Sequence, residues 1–156
     1  TRDELDQAVS QIGLPAVLKT TRFGYDGKGQ AVIRTRDELD SVWEKLGGRP
    51  LILEGFVPFF REISILSVRS QQGEMAFYPL VENIHHEGIL RKSTPLHEVS
   101  PHLVEQAQRY ASLTLTHLNY VGVLAIEMFQ VGENLLVNEM APRVHNSGHW
   151  TIEGAQ

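Results

Sequence analysis

Residues 121–143 read VGVLAIEMFQVGENLLVNEMAPR, and the rest of the chain is interpreted outward from them. Two apolar runs rich in Val, Leu, Ile, Met and Phe flank Gly132, Glu133 and Asn134, the pattern of a β-hairpin with a short glycine-containing loop. With three residues in the loop, Val131 pairs with Leu135, and counting outward from the turn sets Glu127 opposite Glu139. Ala125, Phe129, Val137 and Ala141 then share their face, so little water is expected to reach the two carboxylates. Like charges a few Å apart repel by about 3–4 kcal/mol at the effective dielectric of a protein surface, and directly opposed like charges weaken a strand pair. A cation between them would relieve that cost. Carboxylate oxygens in a chain without Cys favour Mg²⁺ or Mn²⁺, and Mg²⁺ is usually held by one or two carboxylates together with substrate phosphates. The alternative is that one Glu lies on a solvated edge, or that the register differs by one residue.

Composition limits the function classes. The 156 residues suit an ordinary globular fold, with 42% apolar and 21% charged residues. A net charge of −5 argues against nucleic acid as the main partner, while a local concentration of Lys and Arg still permits a small anionic ligand. The absence of Cys excludes disulfides and thiol chemistry. No apolar run approaches the roughly 18 residues of a membrane span and no leader pattern opens the chain, so a cytoplasmic protein without a membrane partner is expected. The sequence lacks an initiator Met and closes on what reads as the start of an element, so a fragment of a longer protein is expected.

Two helices open the same way. Thr1 with Glu4 and Thr35 with Glu38 form capping boxes, followed by Leu5, Ala8, Val9 and Ile12 in one case and Leu39, Val42, Trp43 and Leu46 in the other. Between them a strand ending in Lys19 and Thr20 leads into Thr21-Arg22-Phe23-Gly24-Tyr25-Asp26-Gly27-Lys28-Gly29-Gln30. Its glycines permit a flexible loop whose N–H groups could close over phosphate oxygens, with Arg22, Lys28 and Lys19 adding charge. A plain glycine-rich turn is the competing reading. Glu54-Gly55-Phe56-Val57 before Pro58 reads as an extended segment leaving a short strand, with free backbone groups of the kind an adenine edge requires. Glu62 opens the next strand, where a carboxylate could accept ribose hydroxyls or simply be solvated. His85 and His86 point to opposite faces if extended, and no histidine spacing suits zinc. Ser100 and Pro101 start a helix with Leu103, Val104, Ala107, Ala111, Leu115 and Leu118 on its apolar face. The polar loop after Glu139 carries Arg143, His145, Asn146 and His149. Arg143 there could clamp an anion or pair with Glu127 or Glu139.

Three strings resemble the ATP-grasp superfamily and, within it, the 5-(carboxyamino)imidazole ribonucleotide synthases of purine biosynthesis. They are residues 24–30 (GYDGKGQ), residues 54–57 (EGFV) followed by Arg61 and Glu62, and residues 138–148 (NEMAPRVHNSG), of which the last is the most specific. The resemblance implies an α+β fold of two lobes with antiparallel sheets, residues 1–55 and 56–156, and a nucleotide between them. The flanking N- and C-terminal domains of such enzymes would be absent. It implies ATP and Mg²⁺, with Lys19, Gly24, Tyr25, Asp26, Gly27, Lys28, Gly29 and Gln30 at the phosphates, Glu54, Gly55, Phe56 and Val57 at the adenine, and Glu62 at the ribose. His85 and Asn138 would be further nucleotide contacts, and Glu127 and Glu139 the metal ligands. Tyr25, Asp26, Arg143, His145 and Asn146 would face bicarbonate and 5-aminoimidazole ribonucleotide. The wider superfamily often has Glu-x-Asn at the second metal position, where this chain has Ala141. A carbon–nitrogen ligase is implied, homodimeric at full length, with weak or no turnover by these residues alone. The competing readings are another ATP-grasp ligase, such as a formate-using glycinamide ribonucleotide enzyme, and a nucleotide-binding module without chemistry.

Overall fold

The computed structural model describes residues 1–24 and 28–154. Thr1–Val57 together with Glu87–Ile89 form one unit, and the other described residues form a second.

In the first unit, α1 (Arg2–Ile12) starts at Thr1, whose side chain caps the Glu4 N–H while the Glu4 carboxylate reaches back. Strands β1 (Ala16–Thr20), β2 (Gln30–Ile33) and β3 (Leu51–Gly55) form an antiparallel sheet in the order β2-β1-β3. A single 3-10 turn, Arg36–Glu38, precedes α2 (Leu39–Leu46). The Glu38 carboxylate accepts the Arg34 N–H at 2.6 Å and the Thr35 N–H at 3.4 Å. Leu5, Val9, Leu18, Ile33, Leu39, Val42 and Leu46 make the core, so the helical spacing read from Leu5 and Leu39 does turn those faces inward, except that Ile12 at the end of α1 is exposed.

The second unit is built on a six-stranded sheet ordered β7-β6-β4-β8-β9, with β5 also paired to β4. Its strands are β4 (Arg61–Arg69), β5 (Met75–Phe77), β6 (Val81–His86), β7 (Ile89–Pro95), β8 (Gly122–Val131) and β9 (Asn134–Ala141). One face packs on α3 (Pro101–His117): Ile63, Ile65, Leu124, Ile126, Met128 and Leu135 meet Leu103, Ala107, Ala111 and Leu115. Since alternate residues of a strand face opposite ways, this core requires Glu62, Ser64, Glu127 and Phe129 to project from the other face. A 3-10 turn, Asn146–Gly148, and the short α4 (Thr151–Gly154) follow β9.

The hairpin differs from the expected count in an instructive way. The turn holds two residues, so Val131 pairs with Asn134, Phe129 with Leu136 and Met128 with Val137. An irregularity between Glu127 and Met128 then skips Asn138, and Glu127 does lie opposite Glu139. A shorter turn and a bulge compensate each other. The neighbours change as well: Leu136, not Val137, is opposite Phe129.

Candidate functional site

Strand register assembles the site. Along β4, Glu62 is opposite Phe129 of β8 and Asn83 of β6, while Ser64 is opposite Glu127, which is in turn opposite Glu139. Neighbouring strands thus bring Glu62, Ser64, Asn83, Glu127 and Glu139 to one face, with His85 two residues beyond Asn83. A chain of side-chain hydrogen bonds joins the strands: Ser93 donates to Asn83 Oδ1 and the Asn83 side-chain amide donates to Ser64 Oγ, each at 2.9 Å. The Phe59 and Phe129 rings stack with centroids 4.5 Å apart.

The two carboxylates are not equivalent. Glu127 is 8% exposed, whereas the Glu139 side chain is 60% exposed. The expectation that water reaches neither is therefore correct for Glu127 and wrong for Glu139, because β9 is the last strand of the sheet and leaves that side open. Burial, reinforced by the charge of Glu139, pushes the Glu127 carboxyl up to about 7. Glu127 Oε1 is buried and, among the described residues, has no hydrogen-bond partner. An orphaned buried oxygen of this kind costs free energy unless something binds it.

Two histidines border Glu127. His145 Nδ1 lies 3.8 Å from Glu127 Oε1, and its Nε2 lies 3.9 Å from Glu139 Oε1. On the other side, His85 Nδ1 is 2.8 Å from Glu62 Oε2. That contact raises the His85 pKa, while burial lowers that of His145. Glu62, His85 and Glu127 bring donor atoms within 4.8 Å of one another, and so do Glu127, Glu139 and His145. Among the described residues, then, the donors around Glu127 are carboxylate oxygens with one imidazole on each flank.

Other predicted residues have distinct placements. Lys19 on β1 contacts Glu54 on β3, with Nζ 2.7 Å from Oε2. Gly29 takes φ +78, and a Cβ there would lie 2.7 Å from Thr20 Oγ1, so the chain end of this turn has no room for a side chain. Gln30 is opposite Lys19; Gly24 and Lys28 flank Tyr25, Asp26 and Gly27, which lie outside the described residues. The extended segment expected from Glu54 starts later: Glu54 and Gly55 are still paired with Val17 and Ala16, and the Phe56 N–H donates to the Pro15 carbonyl at 3.1 Å. Only from Val57 does the segment leave the ladder, because β1 has no further residues to pair with it. Asn138 is the skipped bulge residue. Arg143 donates to the Val144 carbonyl at 2.9 Å, and the alternative of an Arg143 pair with either Glu is not seen among the described residues; His145 stands there instead.

Sequence reasoning missed the supports of the loop after β9. Tyr120 donates its hydroxyl proton to the Pro142 carbonyl at 2.8 Å, and Thr151 Oγ1 donates to the Gly148 carbonyl at 2.7 Å. Ser147 is fully buried against His145. A lone Tyr, Thr or Ser carries no periodic signal, so only coordinates reveal these roles.

The ATP-grasp domain family matches residues 1–156. The N5-carboxyaminoimidazole ribonucleotide synthase of Pseudomonas aeruginosa is 53% identical over 154 residues, which make up 98% of this chain and 42% of the relative. The crystal structure of N5-carboxyaminoimidazole ribonucleotide synthetase from Thermus thermophilus superposes with a TM-score of 0.88 at 57% identity, over 97% of this chain and 41% of that one. The Aspergillus clavatus N5-carboxyaminoimidazole synthase, solved with ADP and 5-aminoimidazole ribonucleotide, gives a TM-score of 0.86 at 30% identity, over 99% and 40%. The chain therefore spans about two fifths of the length of these relatives.

Proposed function

The chain belongs to the ATP-grasp family, and from that premise we propose that it carries the nucleotide- and metal-binding chemistry of a cytoplasmic ATP-dependent carbon–nitrogen ligase. The reaction is carboxylation of 5-aminoimidazole ribonucleotide by bicarbonate, through carboxyphosphate, in purine biosynthesis. The observation that carries the reading is the opposed pair Glu127–Glu139 with a buried oxygen lacking a partner. The relatives named for this reaction, and the Aspergillus clavatus structure with ADP and the aminoimidazole nucleotide, support the choice of acceptor.

The donor set fits a hard divalent cation. Glu127 and Glu139 would hold Mg²⁺, with Mn²⁺ as a substitute, and the ion when bound would neutralise charge on the phosphates. Phosphoryl transfer needs little covalent chemistry from side chains, so the residues chiefly position groups and balance charge. Lys19 and the loop from Gly24 to Gln30 hold phosphate oxygens, and those backbone groups of Glu54 to Val57 that the pairing with β1 leaves free take the adenine. Glu62 accepts ribose hydroxyl protons, with His85 and Asn138 beside the nucleotide. A bicarbonate oxygen attacks the γ-phosphorus and ADP leaves; the exocyclic amine then attacks the carboxyl carbon, and phosphate leaves. Tyr25, Asp26, Arg143, His145 and Asn146 orient bicarbonate and the amine. Residues 1–55 and 56–156 are the small and large lobes of this arrangement.

The test is ADP release from Mg-ATP by the complete polypeptide that carries this chain, with bicarbonate and 5-aminoimidazole ribonucleotide added singly and together. ADP should rise strongly only with both. A response to formate plus glycinamide ribonucleotide instead, or to neither pair, overturns the assignment.

A further inference from the structure

We propose that Ser147 is a positioning residue that holds His145 as the tautomer protonated on Nε2, aiming the ring proton at Glu139 and away from Glu127. Ser147 Oγ lies 2.9 Å from His145 Nδ1, and the Ser147 backbone N–H faces the same nitrogen at 3.4 Å while also meeting Asn146 Oδ1 at 3.0 Å. A backbone N–H can only donate, so the nitrogen it faces presents its lone pair; that N–H is long and lies nearer Asn146 Oδ1, so it marks the lone pair while the Ser147 hydroxyl at 2.9 Å is the donor that holds it. The neutral ring then has one place left for its proton, Nε2. That atom is the one 3.9 Å from Glu139 Oε1, while the proton-free Nδ1 is the one 3.8 Å from Glu127 Oε1.

Ser147 has little freedom to do otherwise. It is fully buried, and Gly148 beside it sits so close to Leu66 that a Cβ there would overlap Leu66 Cδ2. The Thr151 hydroxyl closes the turn on the Gly148 carbonyl. With Nδ1 occupied by Ser147, His145 gives no proton to Glu127, whose Oε1 remains without a donor. Resting on the proposed function, this is what leaves that oxygen available to a divalent cation. A partner on the far nitrogen of a site histidine fixes tautomer and ring orientation in the same manner at metal centres.

The experiment is ¹⁵N NMR of the histidine rings of the chain at mildly alkaline pH, with His145 identified by the signals lost in His145→Gln. The unaltered chain should show His145 protonated on Nε2. In Ser147→Ala the ring should move toward the Nδ1-protonated form, and Mn²⁺ affinity, read by electron paramagnetic resonance, should fall about 10–100-fold. A ring protonated on Nδ1 in the unaltered chain overturns the proposal, even where the variant does not fold. So does a folded Ser147→Ala with an unchanged ring, or one that loses Mn²⁺ without a change of tautomer. Failure of the unaltered chain to bind Mn²⁺ overturns the cation reading, while the tautomer measurement tests Ser147 separately.

Discussion

The two units hold their charged site candidates in opposite conditions. In the first, Lys19 meets Glu54 with side chains 28% and 43% exposed, an opposite-charge pair in water that is worth at most about 1 kcal/mol. In the second, Glu127 meets Glu139, a like-charge pair with one member nearly dry. The first arrangement is neutral and cheap to keep or to break. The second opposes folding until a proton or a cation joins it. A cost of that kind, placed on the central face of a sheet, marks function more sharply than a satisfied ion pair does.

Replacing Glu127 by Gln gives the largest expected effect, a loss of ADP formation by the complete polypeptide of about 10²–10³-fold. Steady-state ADP release checks it, and near-normal turnover would break the contrast between the two pairs.

The next effect is on stability and has a defined sign. The folded Glu127 carboxyl is raised from 4.5 to about 7, so the folded chain keeps a proton that the unfolded chain has released. Without divalent cations the contribution of Glu127 should therefore be most favourable below the ordinary carboxylate value and fall as pH rises to about 7, by about 3 kcal/mol, while Glu4 and Glu38, whose values are lowered, act in the opposite sense only at acid pH. His85, raised by Glu62, acts in the same direction as Glu127: its contribution is present below its ordinary value of 6.5 and is lost as pH rises through the folded value. Urea midpoints measured with chelator across this range should decline in the native sequence and decline far less in Glu127→Gln, which should be the more stable of the two at mildly alkaline pH.

Gly148→Ala should cost about 1–3 kcal/mol through overpacking against Leu66. Adding Leu66→Ala should recover part of that specific loss in a double-mutant cycle of thermal unfolding. The smallest effect is expected for Glu54→Gln, within about 1 kcal/mol by urea unfolding; a larger loss would remove the distinction between the two pairs.

Much of this was legible in the sequence. The helix start at Thr1 follows from local hydrogen-bonding chemistry, whereas Thr35 opens a 3-10 turn and α2 starts only at Leu39; the placement of Glu127 on the face opposite α3 follows from strand alternation. The pairing with Glu139 emerged from an incorrect turn length, because turn and bulge errors cancelled. Glu139's exposure was not legible, since it depends on β9 ending the sheet. The Glu62–His85 contact depends on which strands become neighbours, and β4 and β6 are not consecutive. His145 between the carboxylates, and Ser147 behind it, depend on how a loop folds back, for which no residue periodicity exists.

The bulge at Asn138 has one more implication, for reading frame. Without it, the two-residue turn would set Asn138 opposite Glu127, and Glu139 would point toward α3 with Leu135. The extra residue acts as a local frameshift that restores the carboxylate to its face. A chain with a turn one residue longer and no bulge would present the same two carboxylates in the same places. Turn length and bulge are thus two spellings of one geometry, with the same number of residues between the two carboxylates in each, so such chains would align here without a gap.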